Sequence, residues 1–121
     1  MVTISKSKQP RKQRKSRYNA PLHLKQKLMG SMLEKSLREE YKKRTIPVIK
    51  GDTVKILCGD HKGKVGTVTH VNLNKNILYI SGITVTKANG SEIQKSINPS
   101  NVIITKLELK DKTREKRIRR K

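Results

Sequence analysis

Polar and hydrophobic residues alternate with a period of two from about residue 48 to residue 110. The segments are short and rich in Val, Ile and Thr, and turn-forming residues separate them, which indicates β-strands. We predict about five strands: Thr53 to Leu57, Lys64 to Val71, Asn76 to Ile80, Ile83 to Lys87 with Glu92 to Ile97, and Val102 to Lys106. Short strands at this spacing are typical of a small barrel.

The strongest turn signal is the dipeptide Asn89-Gly90, because "ITVTKANGSEIQKSI" alternates on either side of it. A two-residue hairpin turn requires positive φ at both central residues, and Asn and Gly tolerate that conformation best. We therefore predict a tight hairpin here. The same residues with Ser91 match the N-glycosylation pattern, which we interpret as a turn.

The region before the strands has a helical period instead. In "NAPLHLKQKLMGSMLEKSLREEYKKRTIP" the apolar residues recur at helical spacing: Leu24, Leu28, Leu33, Leu37 and Tyr41. This pattern predicts two short helices, separated by Gly30. Ser31 and Glu34 have the form of a capping box that would start the second helix.

The stretch "GDHKGKVG" at residues 59 to 66 places three glycines around two lysines. It is not a P-loop, because Gly59 and Gly63 enclose three residues rather than four, and Val65 stands where the Mg²⁺-binding hydroxyl would be. We expect the glycines to form a turn between two strands, with a bulge at Gly66. Lys62 and Lys64 would then project from a rigid loop suited to RNA phosphates.

Charge narrows the function. Thirty Lys and Arg against nine Asp and Glu give a formal charge of +21, which favours a polyanionic partner such as nucleic acid. The basic residues concentrate at the two ends of the chain, in residues 1–20 and residues 111–121. We predict that both ends are extended basic arms that become ordered on phosphates, with 21–46 helical and 47–110 forming the barrel.

Other functions receive little support from the sequence. No signal peptide or membrane-spanning stretch is visible, and Cys58 is the only cysteine, so we expect a soluble intracellular protein. His23, His61 and His70 are too scattered for a zinc site, and no residue pair has the pattern of a catalytic nucleophile and its base. We expect no enzyme activity, cofactor, metal, membrane partner or small-molecule substrate.

The segment "VIKGDTVKILCGDHKGKVGTVTHVN" resembles a KOW motif, which implies an RNA-associated SH3-like barrel. The flanking segments "PRKQRKSRYNAPLH", "SLREEY", "RTIPVIKGD", "KANGSEI" and "INPSNVIITKL" extend the resemblance to the eukaryotic-type form of the universal large-subunit ribosomal protein twenty-four family, from about Lys6 to Lys110. The expected fold is therefore mainly β: a small KOW barrel preceded by one or two short helices.

This resemblance implies a structural protein of the large ribosomal subunit that binds ribosomal RNA (rRNA) near its 5′ region, supports assembly and lies near the polypeptide exit tunnel. Its partners would be rRNA and neighbouring ribosomal proteins, and it would not form a homo-oligomer. We expect it on cytoplasmic ribosomes, with nuclear or nucleolar passage during assembly.

By motif position, the RNA-facing residues would be the KOW turn, defined here as residues 61–64, and the segment from Arg11 to His23. Basic residues of the arms and of the predicted hairpin are further candidates. The complete set is Lys8, Arg11, Lys12, Arg14, Lys15, Arg17, Asn19, His23, His61, Lys62, Gly63, Lys64, Lys87, Arg114 and Arg117.

Two alternatives remain open at this point. A KOW-type transcription elongation or RNA-processing factor would share the motif but would normally carry a further domain. A basic architectural DNA-binding protein would share the charge, but it would not account for the KOW turn or the barrel pattern.

Overall fold

The computed structural model describes residues 5–120, which form four α-helices and seven strands. The helices are α1 (Pro10–Asn19), α2 (Leu22–Lys25), α3 (Lys35–Tyr41) and α4 (Lys112–Arg119). The strands are β1 (Gly30–Leu33), β2 (Thr45–Pro47), β3 (Thr53–Ile56), β4 (Val65–Asn72), β5 (Ile77–Thr86), β6 (Glu92–Ile97) and β7 (Val102–Lys106). Short 3₁₀ turns cover Gln26–Met29 and Pro99–Asn101.

The strands form one sheet in the order β2-β1-β7-β3-β4-β5-β6. Strands β1 and β7 are parallel, and the other neighbouring pairs are antiparallel. Residue pairing shifts between Val68 and His70 on β4, and such irregularities bend a strand and increase its twist. This arrangement confirms the prediction of a mainly β fold consistent with a small KOW barrel.

The core is aliphatic, because the chain has neither Phe nor Trp. Fourteen buried hydrophobic residues form one cluster: Met29, Leu33, Ile46, Val48, Val54, Ile56, Val68, Leu78, Ile80, Ile83, Ile97, Val102, Ile104 and Ile118. Members come from every strand and from helix α4. The C-terminal helix is therefore part of the hydrophobic core rather than an appendage to it.

The predicted helix start at Ser31 is wrong. Ser31 lies in strand β1, is 1% exposed, and donates its hydroxyl hydrogen to the carbonyl of Pro99. Helix α3 begins later, at Lys35, and its N-cap residue Glu34 makes no side-chain capping bond. Since β1 pairs with both β2 and β7, residues 21–46 are not a separate helical segment.

The predicted strands agree with the structure, with two differences. Strand β5 runs without a break through Gly82, whose φ of +81° accompanies a shift in pairing with β6. The β5–β6 turn is also wider than predicted, because only Gly90 has positive φ and Lys87 N donates to Ser91 O at 2.7 Å.

The prediction of extended basic arms is wrong for the described residues at both ends. Pro10 occupies the first turn of α1, and the Arg, Lys and Gln residues that follow favour a helix. In α4, the carboxylate of the N-cap residue Asp111 accepts a hydrogen bond from Thr113 N at 2.9 Å. Helix α1 buries no residue, whereas α4 buries Arg114 and Ile118.

Candidate nucleic-acid interface

The KOW turn is held by backbone hydrogen bonds between β3 and β4. Gly63 N donates to Ile56 O at 2.8 Å, and Ile56 N donates to Lys64 O at 2.9 Å. Inside this closed loop, Lys62 N donates to Gly59 O at 3.2 Å. The backbone of the turn is therefore fixed by the strands on both sides.

The glycines of this turn serve two different purposes. Gly59 and Gly63 have φ values of +96° and +86°, which non-glycine residues rarely adopt. Gly66 does not have positive φ, but a Cβ atom at this position would lie 2.6 Å from Ile80 Cγ2. The bulge predicted at Gly66 is therefore a close approach between β4 and β5, and the irregular pairing lies further along at Val68 and His70.

Cationic side chains at the turn face solvent. Lys62 and Lys64 are exposed and His61 is half-buried, with Lys64 Nζ 3.3 Å from His61 Nδ1. The nearby carboxylate of Asp60 is 3.6 Å from Lys95 Nζ. Lys62 and Lys64 make no salt bridge among residues 5–120, so their charge remains available to an anionic partner.

Helix α1 displays most of the predicted arm residues. Its exposed side chains are Arg11, Lys12, Arg14, Lys15, Arg17 and Asn19, and Lys8 before it and His23 in α2 are also exposed. The helix has no acidic residue in its first turn, and none occurs anywhere along it. It is a solvent-facing cationic surface rather than part of the core.

The two candidates in α4 differ. Arg117 is exposed. Arg114 is 9% exposed, and its two terminal nitrogens donate to the two carboxylate oxygens of Asp52 at 2.8 and 2.7 Å. The guanidinium also donates to the carbonyls of Glu108 and Pro47. Arg114 is therefore a structural residue, and its prediction as an RNA ligand is corrected.

The candidates lie at two separate ends of the barrel. The KOW turn precedes Val65 at the start of β4, whereas Asn72 at the end of β4 leads to the β4–β5 turn. Seven residue steps along a strand span roughly 23 Å. Because β5 is antiparallel to β4, exposed Lys87 after β5 lies toward the KOW-turn end.

At the other end of β4 is a basic groove with a volume of about 800 Å³. We define the basic groove by its five cationic lining residues, which are Arg14, Arg17, Lys25, Lys27 and Lys75. Lys25 Nζ crosses it to donate to the carbonyl of Asn74 at 3.4 Å. No acidic side chain is among the lining residues that the structure describes.

The individual candidates predicted from the sequence do not include Tyr18, Lys25, Lys27 or Lys75, although Tyr18 lies within the segment from Arg11 to His23 that is expected to face RNA. Lys25 and Lys27 come from the continuous helical stretch 22–29, and only the fold brings them beside Lys75 of the β4–β5 turn. Tyr18 could have been recognised from the sequence, because it lies within "RKSRYN". Arg14 and Lys15, which are four and three positions earlier, are both basic. A ring without an apolar neighbour on its own helix is not explained by helix packing.

Among residues 5–120 there is no group of three or more His, Cys, Asp or Glu side chains positioned to hold a metal ion. Cys58 is a free, exposed thiol. In the same part of the chain, none of the helices is both long and apolar enough to cross a membrane.

Known proteins resemble this chain along nearly its whole length. Residues 7–121 match the profile of a family described as "Ribosomal proteins L26 eukaryotic, L24P archaeal". The large ribosomal subunit protein uL24 of Methanosarcina barkeri is 53% identical over 114 residues, which cover 94% of this chain and 98% of that protein. The protein of the same name from Methanothrix thermoacetophila is 53% identical over 110 residues, covering 91% of this chain and 95% of its own.

A third uL24 protein, from Methanospirillum hungatei, is 50% identical over 112 residues, which cover 93% of each chain. These relatives are archaeal, so the expected nuclear or nucleolar passage receives no support from them. The comparisons also do not favour a transcription elongation factor or a DNA-binding architectural protein. The chain belongs to the family of L26 ribosomal proteins of eukaryotes and L24P ribosomal proteins of archaea.

Proposed function

We propose that this chain is a structural protein of the large ribosomal subunit that binds rRNA. The observation that carries the proposal is the family match across residues 7–121. Relatives at 50 to 53% identity are named as large-subunit proteins. The formal charge of +21 supports a nucleic-acid partner, because a compact chain with this charge repels itself unless polyanions neutralise it.

The KOW turn supplies one proposed RNA contact. Lys62 and Lys64 present exposed ammonium groups that make no salt bridge among residues 5–120, on a backbone that β3 and β4 hold in place. Phosphate contacts from a rigid loop fix the orientation of a protein on RNA without reading base edges. The turn would therefore recognise the local shape of the phosphate backbone, as expected for structured RNA. Lys87 would add a contact from the β5–β6 turn.

Helix α1 and the basic groove supply a second proposed contact about one strand length away. The cations of α1 face solvent, and α1 buries none of its residues. Lys8, Asn19 and His23 are also exposed, and we include them in this proposed contact. Binding at both ends of β4 would let one small protein join two segments of folded rRNA, which is the physical basis of a proposed role in subunit assembly.

The finer aspects of the role are proposals of the same kind. We propose that the rRNA contact lies near the 5′ region of the large-subunit RNA and near the polypeptide exit tunnel, with other ribosomal proteins as neighbours. The protein would act on cytoplasmic ribosomes as a single copy and without catalysis. The chain would have three functional parts: α1 with the residues before it, the barrel, and α4. The barrel would be the scaffold.

Cosedimentation tests the proposal. The tagged full chain is expressed in its source cells, and lysates are separated on sucrose gradients at moderate salt. We expect the chain in the large-subunit and whole-ribosome fractions, and we expect it to survive a wash that removes loosely bound basic proteins. Recovery only at the top of the gradient, or with the small subunit, would contradict the proposed function.

A further inference from the structure

We propose that Tyr18 and the basic groove bind an unpaired nucleotide of the rRNA, with its base stacked on the tyrosine ring. This inference rests on the proposed function and adds to it a specific site and a class of ligand. The side chain of Tyr18 is unusually exposed, with an accessible fraction of 83%. The chain has three tyrosines and neither Phe nor Trp, yet the ring of Tyr18 lies outside the core.

The surroundings of the ring favour an anionic ligand with a flat face. Tyr18 lines the groove together with five cations from three separate segments, and Lys25 Nζ is 6.0 Å from the centre of its ring. RNA-binding proteins commonly stack unpaired bases on aromatic rings while cations hold the neighbouring phosphates. A fully paired duplex keeps its bases inside the helix, so this ring would have nothing to stack against.

The groove is large enough for such a ligand. Its volume of about 800 Å³ lies within the range of sites that hold small molecules. Asn74 and Asn76 of the β4–β5 turn, with Asn98, add amide groups to the groove lining. Amide side chains can hydrogen-bond to base edges and to ribose, whereas lysines mainly contact phosphate.

Asn76 provides an independent observation. Its Oδ1 atom is buried and meets no hydrogen-bond donor within residues 5–120. A buried acceptor without a donor is rare in proteins. Because Asn76 lines the groove, a ribose hydroxyl or base amine bound there is a donor that its side chain can turn to meet.

The test measures the affinity of the full chain for a transcript of the 5′ region of the large-subunit rRNA. Tyr18→Ala removes the ring but raises intrinsic helix propensity, so weaker binding could not be ascribed to loss of α1. We expect Tyr18→Ala to weaken binding by about 5- to 150-fold, the range found for loss of one stacked base. Tyr18→Phe keeps the ring and should restore most of the affinity.

Salt dependence separates stacking from charge. Stacking releases no counterions, so the slope of log affinity against log salt should be the same for Tyr18→Ala as for the parent protein. The double change Arg14→Ala with Arg17→Ala should instead flatten that slope. Ile93→Ala is the matched control, because Ile93 is an exposed apolar residue on β6, away from the groove.

The outcomes distinguish this inference from the proposed function. If the parent protein binds the transcript and Tyr18→Ala binds equally well, the groove holds phosphates only or a different partner, and the inference is overturned while the function stands. If Tyr18→Phe binds as weakly as Tyr18→Ala, the hydroxyl and not the stacking face is responsible, which also overturns it. If the parent protein does not prefer the transcript over unrelated RNA, both proposals fail.

Discussion

Arg114 of helix α4 and Asp52 of the loop before β3 form a two-point ion pair in the interior of the protein. The nitrogen-to-oxygen distances are 2.8 and 2.7 Å, and Asp52 is completely buried. The Asp52 carboxylate also accepts hydrogen bonds from Ile49 N and Glu108 N. A strongly basic C-terminal segment is thereby attached to the barrel by one of its own cations, while the side chain of Arg117 remains exposed to solvent.

Removing one partner of this pair should destabilise the protein strongly. Asp52→Ala leaves Arg114 buried without its counter-ion, and loss of one partner of a buried pair typically costs about 3 to 5 kcal/mol. The free energy of unfolding is measured by urea denaturation. Arg119→Ala is the control, because Arg119 forms an exposed pair with Glu115 and lies 5.7 Å from the ring centre of Tyr41, contacts whose loss should cost less than about 1.5 kcal/mol. Equal effects of the two changes would contradict the structural role of Arg114.

Gly66→Ala should destabilise the sheet because its new Cβ would lie 2.6 Å from Ile80 Cγ2 and 2.7 Å from Ser81 O. Overpacking of this kind typically costs about 1 to 3 kcal/mol. Gly30→Ala is the matched control, since Gly30 has a φ of −67° and its nearest atom would be 4.0 Å away. Thermal unfolding compares the two variants. A melting temperature for Gly66→Ala as high as that of Gly30→Ala would refute the close approach of β4 and β5.

Hydrogen exchange should differ sharply between the two terminal helices of the RNA-free protein. Helix α1 has ten residues and buries none of them, and an isolated helix of that length is marginal in water. Helix α4 is shorter but buries Arg114 and Ile118. We therefore expect fast amide exchange across α1 and slower exchange across α4. Slow exchange in residues 10–17 without RNA would show that α1 is ordered independently of its partner.

Changing Lys62 and Lys64 together to Ala should weaken rRNA binding without unfolding the barrel. Both side chains are exposed, so their loss leaves no cavity. Loss of two phosphate contacts should reduce the slope of log affinity against log salt by about 1.4 to 1.8. Ile56→Ala is the comparison for stability, because Ile56 is 1% exposed and its truncation should cost about 2 to 5 kcal/mol. A similar loss of stability in the double lysine variant would argue against a surface role.

Deleting residues 1–20 should flatten the salt dependence further than the KOW-turn change does. The deletion removes seven cations, and if most of them contact phosphate the slope should fall by about 3 units or more. The two ends of β4 are far enough apart for their effects on binding free energy to add. Titrations of the deletion, the double lysine variant and their combination measure this. An unchanged slope after deletion would mean that the N-terminal residues are a solvated tail.

Local sequence patterns determined most of the sheet. Alternation of Val, Ile and Thr identified the strands from Thr53 onward, because residues on a half-buried strand face the core and solvent in turn. Glycine spacing located the turn between β3 and β4, because Gly59 and Gly63 adopt φ values that other residues avoid. The net charge and the KOW-like residues indicated RNA, since both are properties of the chain itself and need no knowledge of distant contacts.

Tertiary structure decided what local patterns could not express. "GSML" has a helix-like neighbourhood, but pairing with β2 and β7 makes it a strand. Arg114 looks like any other cation in a basic tail, but the buried carboxylate of Asp52 lies 62 positions away in sequence and becomes its partner only in the fold. The basic groove likewise takes Lys25 from α2 and Lys75 from the β4–β5 turn. In each case the contact that decides the structure joins segments far apart in sequence. The residue pattern within either segment alone therefore does not reveal it.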